Sequence, residues 1–247
     1  MVERAHAGPL RVQKALYPEE PRACQVILLH PPGGVVGGDA LDIRMGLGQG
    51  SQVMATTPGA AKWYRANGRH ASQQVRLRVD EGAALEWLPQ EAIFHDGADV
   101  VLDQEVELKT GAVYIGTDIL CFGRSAMGER FTRGRVRQRT RIRQDGRLVW
   151  HEQARIDAIG LLSPLGLGGN TVCATLLAVG KPLPGGVHAG LRAAVPGLAL
   201  SQVKSVFVAR YLGVDSEAAR AAMVRVWQAV RPCLLGREAH IPRIWHT

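Results

Sequence analysis

Short segments in which apolar and charged side chains alternate recur through most of this chain. From Gln73 to Gly82, the apolar Val75, Leu77 and Val79 alternate with charged residues, and the segment from Ala98 to Gly111 repeats the pattern. Successive side chains of a strand point to opposite faces, so this two-residue period predicts strands. Glycine, proline or aspartate separates these and the other short apolar segments. The spacing predicts an all-β fold, either a large sandwich, a barrel or a helical stack of strands.

The segment LLHPPGGVVGGD, from Leu28 to Asp39, interrupts this pattern. Its prolines lack a backbone donor and its glycines permit positive φ or close backbone approach, so neither a helix nor a continuous strand can hold it. We expect a shaped loop with Asp39 at its exit. The spacing matches neither phosphate-binding glycine motif, which argues against a nucleotide site. The residues that define the loop are His30, Pro31, Pro32, Gly33, Gly34, Gly37 and Gly38.

An arginine occupies every odd position from Arg133 to Arg143. The period of two predicts a strand with one guanidinium face and one partly buried face. Asp145 and Gly146 then predict a hairpin turn into a returning strand. Two interpretations stay open for the arginines: a solvated edge or outer face that resists aggregation, or a docking face for an acidic partner.

Two helices are predicted, both late in the chain. In the segment from Ser216 to Val230, apolar residues share one stripe, Asp215 or Ser216 can cap the start, and Pro232 is expected to stop the helix. Weaker helical spacing runs from Gly186 to Val195. We therefore expect one domain over residues 1–247, with a β-rich body at 8–180 and a helix-containing part at 181–247.

Composition excludes several classes of protein. The chain has 247 residues, enough for a sizeable core. It has no apolar run long enough to span a bilayer and its start has no signal-peptide core, so we expect a soluble, cytoplasmic protein. The cysteines are far apart and form no metal-binding or redox motif, so buried thiols are expected; they are Cys24, Cys121, Cys173 and Cys233.

Two rival functions are weighed against these observations. A net charge of +8 suits a nucleic-acid binder, but aromatic residues make up only 5% and none interleaves with the arginines as a stacking platform. A hydrolytic enzyme needs a nucleophile with a base, and the sequence has no such motif. We therefore expect neither nucleic-acid binding nor catalysis.

Several further fragments occur in order along the chain together with the proline and glycine loop. They are GPLRVQKALYPE, LLHPPGGVVGGD, TTPGAAKWYR, LEWLPQEAIF, GRSAMGERF, ARYLG and PRIWHT. As a set, these fragments resemble the urease accessory protein family UreD, also called UreH. The resemblance runs from Gly8 to the end of the chain.

The resemblance implies a scaffold for urease maturation and not an enzyme. Members of this family bind the urease apoprotein and UreF, recruit the GTPase UreG through UreF, and help nickel reach the urease active site. The resemblance also implies a mostly β fold, a long stack of strands with two helices. We expect no tightly bound cofactor and only transient Ni²⁺. The alternative is an adaptor that never touches nickel.

Candidate nickel contacts follow from chemistry. A carrier that releases Ni²⁺ suits few, weak, oxygen-rich contacts, and a carboxylate inside an apolar strand persists only with a partner or a wet cavity. The first candidates are Asp39, Asp118 and Glu152, and the second are Glu129 and Glu86. Each has a structural alternative: Asp39 can cap a turn, Glu152 can pair with the arginines, and Asp118 can bind buried amides.

Other candidates carry less information. A lone histidine in a strand is more often structural than a ligand, which applies to His30 and His151. Tryptophan and arginine are frequent in interface hot spots, although either can equally be internal packing. The partner-binding candidates are Arg135, Arg137, Arg139, Arg141, Arg243 and Trp245.

Overall fold

The computed structural model describes residues 3–19 and 23–246, and strands dominate it. The first nine strands are β1 (Arg11–Val12), β2 (Leu16–Glu19), β3 (Ala23–Leu29), β4 (Ala40–Leu47), β5 (Gln52–Thr56), β6 (Ala61–Trp63), β7 (Ala71–Val79), β8 (Ala84–Leu88) and β9 (Ala92–Phe94). The others are β10 (Asp99–Leu108), β11 (Val113–Arg124), β12 (Glu129–Arg130), β13 (Arg135–Gln144), β14 (Arg147–Asp157), β15 (Val172–Val179), β16 (Ala199–Val203) and β17 (Val206–Gly213). The α-helices are α1 (Ala158–Leu162), α2 (Gly185–Ala194) and α3 (Ser216–Leu235), and short 3-10 helices span Ser125–Met127 and Arg243–His246.

The strands coil back and forth between two stacked sheets. The first sheet has the order β1-β3-β5-β8-β11-β15-β17-β16, with β2, β6, β9 and β12 attached beside this path. The second has the order β14-β13-β10-β7-β4. In the middle of both sheets neighbouring strands are parallel, because successive strands alternate between the sheets. These strands are β3, β5, β8 and β11 in the first sheet and β4, β7 and β10 in the second. The predicted helical stack of strands is confirmed.

Apolar side chains fill two layers. One lies between the sheets, where strands of both sheets contribute Val75, Leu77, Leu85, Val106 and Tyr114. The other lies on the far side of the first sheet, where α2 and α3 cover it through side chains such as Leu191, Met223 and Trp227. Residues of both the 8–180 and 181–247 parts share the first sheet, since β16 and β17 extend it beyond β15.

Both predicted helices are present, but the end of α3 differs from the prediction. α3 is capped by Asp215, whose carboxylate accepts hydrogen bonds from the N–H groups of Glu217 and Ala218. The expectation that Pro232 ends it is wrong, since the helix continues to Leu235 and ends at Gly236, which has φ +67°. A proline this near the end removes one intrahelical hydrogen bond, and the left-handed glycine makes the stop.

The remaining helices complete the comparison with the sequence. α2 confirms the weaker prediction, while α1, which lies in a stretch rich in glycine and proline, was not predicted. None of the helices in residues 3–19 and 23–246 combines the length and the apolar character that crossing a bilayer requires.

The arginine-rich segment forms β13 and turns at Asp145 and Gly146 into β14, as predicted. Val136, Thr140 and Ile142 are buried on its inner face. Of the first interpretation, a solvated edge or outer face, the edge position is wrong, because β14 lies outside β13 and is itself the edge strand.

Candidate functional site

A cavity lies between the two sheets where three successive rungs of the first sheet break. The breaks are His30–Gly34 after β3, Thr57–Ala60 between β5 and β6, and Pro89–Glu91 between β8 and β9. They stack because the flanking strands pair in parallel on both sides of the breaks. In the fourth rung β11 runs on without a break, and it places Asp118 at the level of the gap.

The stacked breaks and the facing sheet enclose about 250 Å³. Loop residues such as His30, Pro32 and Gly59 lie on one side of this volume, and Asp118 lies on the wall formed by β11. The second sheet supplies the opposite wall through Leu41, Ile43, Gln73 and Leu102. The site is therefore largely apolar, with few polar groups.

The glycines of the loop are explained by close packing. A Cβ on Gly34 would lie 2.6 Å from the ring of Tyr64, and one on Gly37 would lie 2.5 Å from the carbonyl oxygen of Arg69. The Tyr64 hydroxyl also donates a hydrogen bond to the Gly33 carbonyl at 3.0 Å. The loop is thereby fastened to the following rung of the coil.

Among the described residues that line the cavity, Asp118 supplies the carboxylate. Its hydrogen-bond partner is the side-chain amide of Gln138, which donates at 3.2 Å from the facing sheet. Burial raises the pKa of Asp118 to about 6, and the nearby charge of Glu152 adds to the rise. An ionised Asp118 is consequently a high-energy group that a cation would stabilise.

Glu152 faces Asp118 from the opposite sheet. It lies on β14, where its cross-strand neighbour is the buried Thr140. One of its oxygens accepts a hydrogen bond from the guanidinium of Arg210 on β17 at 2.6 Å. This ion pair joins the two sheets beside Asp118 and Glu152. Burial raises the pKa of the nearby Cys173 thiol to about 12, with smaller contributions from Asp118 and Glu152.

Asp39 and Glu129 have local partners away from the cavity wall. The Asp39 carboxylate accepts a hydrogen bond from the Val36 N–H at 3.1 Å and closes its own turn. Glu129 accepts one from the Asp96 N–H at 2.8 Å and pairs with Arg124. The Asp39 contact is the turn cap that its structural alternative describes, and the Glu129 contacts join β12 to the Asp96 backbone and to Arg124.

Glu86 lies in the other layer, between β8 and α3, and its side chain is 3% exposed. It accepts hydrogen bonds from the Trp227 indole at 2.6 Å and from Nε of Arg231 at 2.9 Å. Arg231 is fully buried and also binds Glu19 at 2.9 Å. Burial raises the pKa of Glu86, while Arg231 and Trp227 oppose that rise. This cluster fastens β2, β8 and α3 together.

The arginine row of β13 pairs with carboxylates of the parallel strand β10. In-register pairing sets Arg135 beside Asp99 at 2.7 Å and Arg139 beside Asp103, and Arg141 pairs with Glu105 in the same way. Arg137 shares Asp99 at 3.3 Å. The row is thus an outer face whose charge is largely compensated within the sheet.

The two C-terminal candidates for partner binding, Trp245 and Arg243, lie in different environments. Trp245 is partly buried, packs 6.0 Å from the Trp227 ring and donates a hydrogen bond from its indole to Thr56 at 2.8 Å. Arg243 is exposed, and so is His151. Trp245 therefore acts in internal packing, whereas Arg243 lies on the surface.

Sequence reasoning missed several residues of this region. Arg210, Arg231 and Gln138 have no local pattern that marks them, because their partners lie on distant strands. A signal for the cavity was present: prolines follow three successive apolar segments in LLHPP, ATTPG and EWLPQ. Within the described residues, no three His, Cys, Asp or Glu side chains come close enough to hold a metal ion.

Comparison with known proteins places this geometry in context. The family model described as UreD urease accessory protein matches residues 1–246. A protein of Janthinobacterium sp. (strain Marseille) named urease accessory protein UreD is 55% identical over 255 residues, covering 100% of this chain and 86% of that protein. Proteins of the same name from Nitrosospira multiformis and Dechloromonas aromatica are 48% and 49% identical, over 100% and 99% of this chain and 92% and 88% of their own lengths.

Proposed function

The chain belongs to the UreD family of urease accessory proteins, and its role is in urease maturation; from this premise we propose that it is a non-catalytic scaffold that helps deliver nickel. In this proposal it binds the urease apoprotein and UreF, and UreG joins through UreF. Ni²⁺ is cargo that passes through the cavity and is not a resident cofactor. We propose a cytoplasmic location, with no nucleic-acid or membrane partner.

The observation that carries the nickel proposal is the position of Asp118 on the cavity wall, where its hydrogen-bond partner among the described residues is an amide and not a cationic side chain. Burial without a counter-charge disfavours the ionised form, and a divalent cation would supply that charge. Carboxylate and amide oxygens hold Ni²⁺ less firmly than a closed set of nitrogen and sulfur ligands. Asp118 is therefore suited to contact an ion that later leaves.

Glu152 is the proposed next contact. It interacts with Asp118 across the space between the sheets, and it is paired with Arg210 at 2.6 Å. A cation that reaches Glu152 competes with the guanidinium for the same oxygen. In this proposal Arg210 keeps Glu152 neutralised between passages and prevents prolonged retention of the ion.

A hydrated cavity is part of the proposal. The cavity encloses about 250 Å³, and its lining includes the polar side chains of Asp118, Gln73 and Thr57. A cavity of this size with polar partners can hold water molecules. Water would also keep an ion solvated between the two carboxylates.

The test replaces Asp118 by asparagine, which keeps the size of the side chain and the acceptor for Gln138. We expect Asp118→Asn to preserve co-purification with UreF and urease, and to lower the nickel content and urea hydrolysis of co-expressed urease roughly tenfold, as for other substitutions near metals. The control is Asp103→Asn, which removes a carboxylate from the outer face of β10.

An unchanged nickel content of urease would contradict the nickel proposal. If urease made with Asp118→Asn carries as much nickel as urease made with the wild-type chain, nickel does not depend on this carboxylate. The chain would then be an adaptor without direct nickel contact. Asp39, Glu86 and Glu129 would not restore the route, since each is engaged in the contacts described above.

A further inference from the structure

The second sheet ends at a strand whose outer edge is free. β14 pairs with β13 along its length, and no other strand of the described chain pairs with it. Backbone N–H and C=O groups alternate between the two edges of a strand, so about half of those in this 11-residue strand point away from β13 without a strand partner. An edge of this kind can accept one more strand from another protein.

β16 lies beneath the space that an extra strand would fill. It extends the first sheet one strand beyond β17, and β17 is the strand that β14 faces, as their ion pair shows. Leu200 of β16 is buried against the helices, whereas its alternate residues are exposed. Because Ala199 pairs directly with Arg210, these exposed residues are on the face toward the second sheet; they are Ala199, Ser201 and Val203. We call the free edge of β14 together with these three residues the β14–β16 recess.

A second copy of this chain does not fit the recess by two-fold symmetry. Antiparallel pairing of two β14 strands requires a two-fold axis perpendicular to the sheet. Neighbouring strands are about 4.8 Å apart, and at this end the first sheet extends one strand further than the second. The axis would therefore carry β16 of one copy into the position of β17 of the other. The recess fits a single extended segment of another protein.

Turns of both sheets meet at one end of the recess. The turn before β14 is joined to the turn before β11, because the Thr110 hydroxyl donates a hydrogen bond to Asp145 at 3.1 Å. Gly180 follows β15, and a Cβ on it would lie 3.7 Å from the side chain of Val113 at the start of β11. The Gly180 N–H also donates to the Ser205 carbonyl, between β16 and β17, at 3.1 Å. The start of β14 and the turn between β16 and β17 are therefore at the same end.

Three exposed cations at this end have no ion-pair partner within the described residues. They are Arg147, Lys181 and Lys204. Asp145 is the acidic residue nearest to Arg147 in the sequence, and its contact is the Thr110 hydroxyl. The recess therefore favours a segment that carries carboxylates at this end.

The proposed nickel route leads to the same recess. Asp118 lies on the cavity wall, and Glu152 interacts with it from β14. The side chains of Glu152 and its partner Arg210 are 27% and 46% exposed, so this end of the route reaches solvent, and Arg210 lies directly beside Ala199 of the recess. A protein bound in the recess would meet the ion as it leaves the chain. The recipient of nickel, the urease apoprotein, is therefore the occupant that fits.

We propose that an extended segment of the urease apoprotein, with carboxylates at one end, adds to β14 as a sixth strand of the second sheet and packs on β16. The inference rests on the proposed function, in which this chain binds urease and passes nickel from Asp118 to Glu152. Main-chain hydrogen bonds along β14 supply the affinity, and the exposed residues of β16 select the side chains that face them. The three cations set the direction of the segment.

Hydrogen exchange tests the position of the docking site. Exchange of the full chain is measured by mass spectrometry, alone and with purified urease apoprotein. We expect peptides that cover β14 and β16 to exchange more slowly in the complex, because backbone N–H groups at the free edge become hydrogen-bonded. β4 is the internal control, since it is the edge strand at the other end of the same sheet. Purified UreF in place of urease should leave β14 and β16 unchanged.

A substitution in the floor of the recess tests its role in binding. Ser201→Trp fills the space that the added strand would occupy, and Ser201 is exposed. We expect it to raise the Kd for urease apoprotein roughly tenfold in biolayer interferometry, a loss of about 1.4 kcal/mol, and to leave the Kd for UreF unchanged. The matched control is Gln74→Trp, which places the same side chain at an exposed position of the central strand β7.

A charge-reversal pair tests the direction of the segment. Arg147→Glu with Lys204→Glu should weaken binding to urease apoprotein by a factor that shrinks as salt is added. The control is Arg78→Glu with Arg225→Glu, which gives the same change in net charge at exposed sites on β7 and α3. The control pair should bind urease as the wild-type chain does.

Several results would overturn this inference. Unchanged exchange of β14 and β16 in the urease complex is one, and wild-type affinity of Ser201→Trp for urease is another. Protection of β14 by UreF would assign the recess to the wrong protein, and a dimer in light scattering that Ser201→Trp abolishes would assign it to a second copy. If Ser201→Trp fails to fold, hydrogen exchange of the wild-type chain decides.

Failure of the proposed function gives a different pattern. A wild-type chain that binds no urease apoprotein contradicts both the proposed function and the recess. Normal nickel delivery by Asp118→Asn contradicts the nickel route alone, because this variant should still bind urease in the recess and slow the exchange of β14. Urease binding that leaves β14 and β16 unprotected contradicts the recess alone.

Discussion

Glu86 and Asp118 are carboxylates on neighbouring strands of one sheet, yet their surroundings differ completely. Glu86 faces α3, where the buried Arg231 and the Trp227 indole bind it. Asp118 faces the cavity, where the Gln138 amide binds it and no ion pair with an arginine or lysine is formed within the described chain. A buried carboxylate with its own cation fastens a fold. A buried carboxylate without a cation is unfavourable in its ionised form, and for this reason the nickel proposal rests on Asp118 and not on Glu86.

The largest expected effect concerns the paired carboxylate. Arg231→Met removes the cation that Glu86 and Glu19 share, and leaves negative charge buried between β8 and α3. We expect the free energy of unfolding at pH 7 to fall by about 3–5 kcal/mol, as when one partner of a buried pair is deleted. Urea denaturation followed by circular dichroism measures it.

A double variant identifies the cause. Glu86→Gln with Arg231→Met removes both charges, and the glutamine oxygen can still accept the Trp227 N–H. We expect this variant to recover part of the loss, because the Glu86 charge is removed and the remaining carboxylate, Glu19, still has Arg237 at 4.0 Å. Equal destabilisation in the single and double variants would show that packing of the arginine side chain, and not its charge, is what matters.

The next effect concerns the unpaired carboxylate and depends on pH. Burial raises the pKa of Asp118 from 3.8 to about 6, so the folded protein binds a proton more tightly than the unfolded chain does. The contribution of this group to stability therefore falls as pH rises from about 4 to 6 and is constant above. Asp118→Asn has no proton to lose. It should be more stable than the wild type by about 3 kcal/mol at pH 8, from about 1.4 kcal/mol per pKa unit, and about equal to it once the pH is well below 4.

Asp96 provides the control of opposite sign. Burial favours a higher pKa, but hydrogen bonds from the N–H groups of Arg133 and Thr132 and from their side chains outweigh it and lower the pKa of Asp96 to about 2. Asp96 thus adds stability above pH 4 that is lost as pH falls toward 2. Asp96→Asn should be less stable than the wild type at pH 7 by about 2 kcal/mol. If both variants change stability in the same direction at pH 8, the environments assigned to the two carboxylates are wrong.

Most of the fold could be predicted from the sequence because its signals are local. The two-residue period identified β7, β10 and β13, and the turn after β13 follows from Asp145 and Gly146. The extension of α3 through Pro232 was missed, since a single proline near a helix end is tolerated. α1 was missed because five residues in a stretch rich in glycine carry too little periodicity to detect.

The candidate site was predictable only in part, since partners across the fold leave no local signal. Asp118 and Glu152 were chosen as carboxylates inside apolar strands, and they lie together. By the same criterion Glu86 was chosen too, although its partner Arg231 lies 145 positions away. The arginines of β13 looked uncompensated for a similar reason: the parallel pairing with β10 that sets carboxylates beside them is a property of the coil and not of either strand.

The smallest expected effect extends the comparison to charges outside the core. A hydrogen bond from Arg139 lowers the pKa of Asp103, but the Arg139 side chain is 41% exposed, so solvent screens the pair. Arg139→Gln should lower the free energy of unfolding by less than about 1 kcal/mol, and by less still at high salt. Co-purification with UreF and urease should persist, because the row is already paired within its own sheet. Loss of binding to UreF or to urease in this variant would show that the arginine row is a docking face. The presence or absence of an ion-pair partner would then no longer separate the structural carboxylates from the functional one.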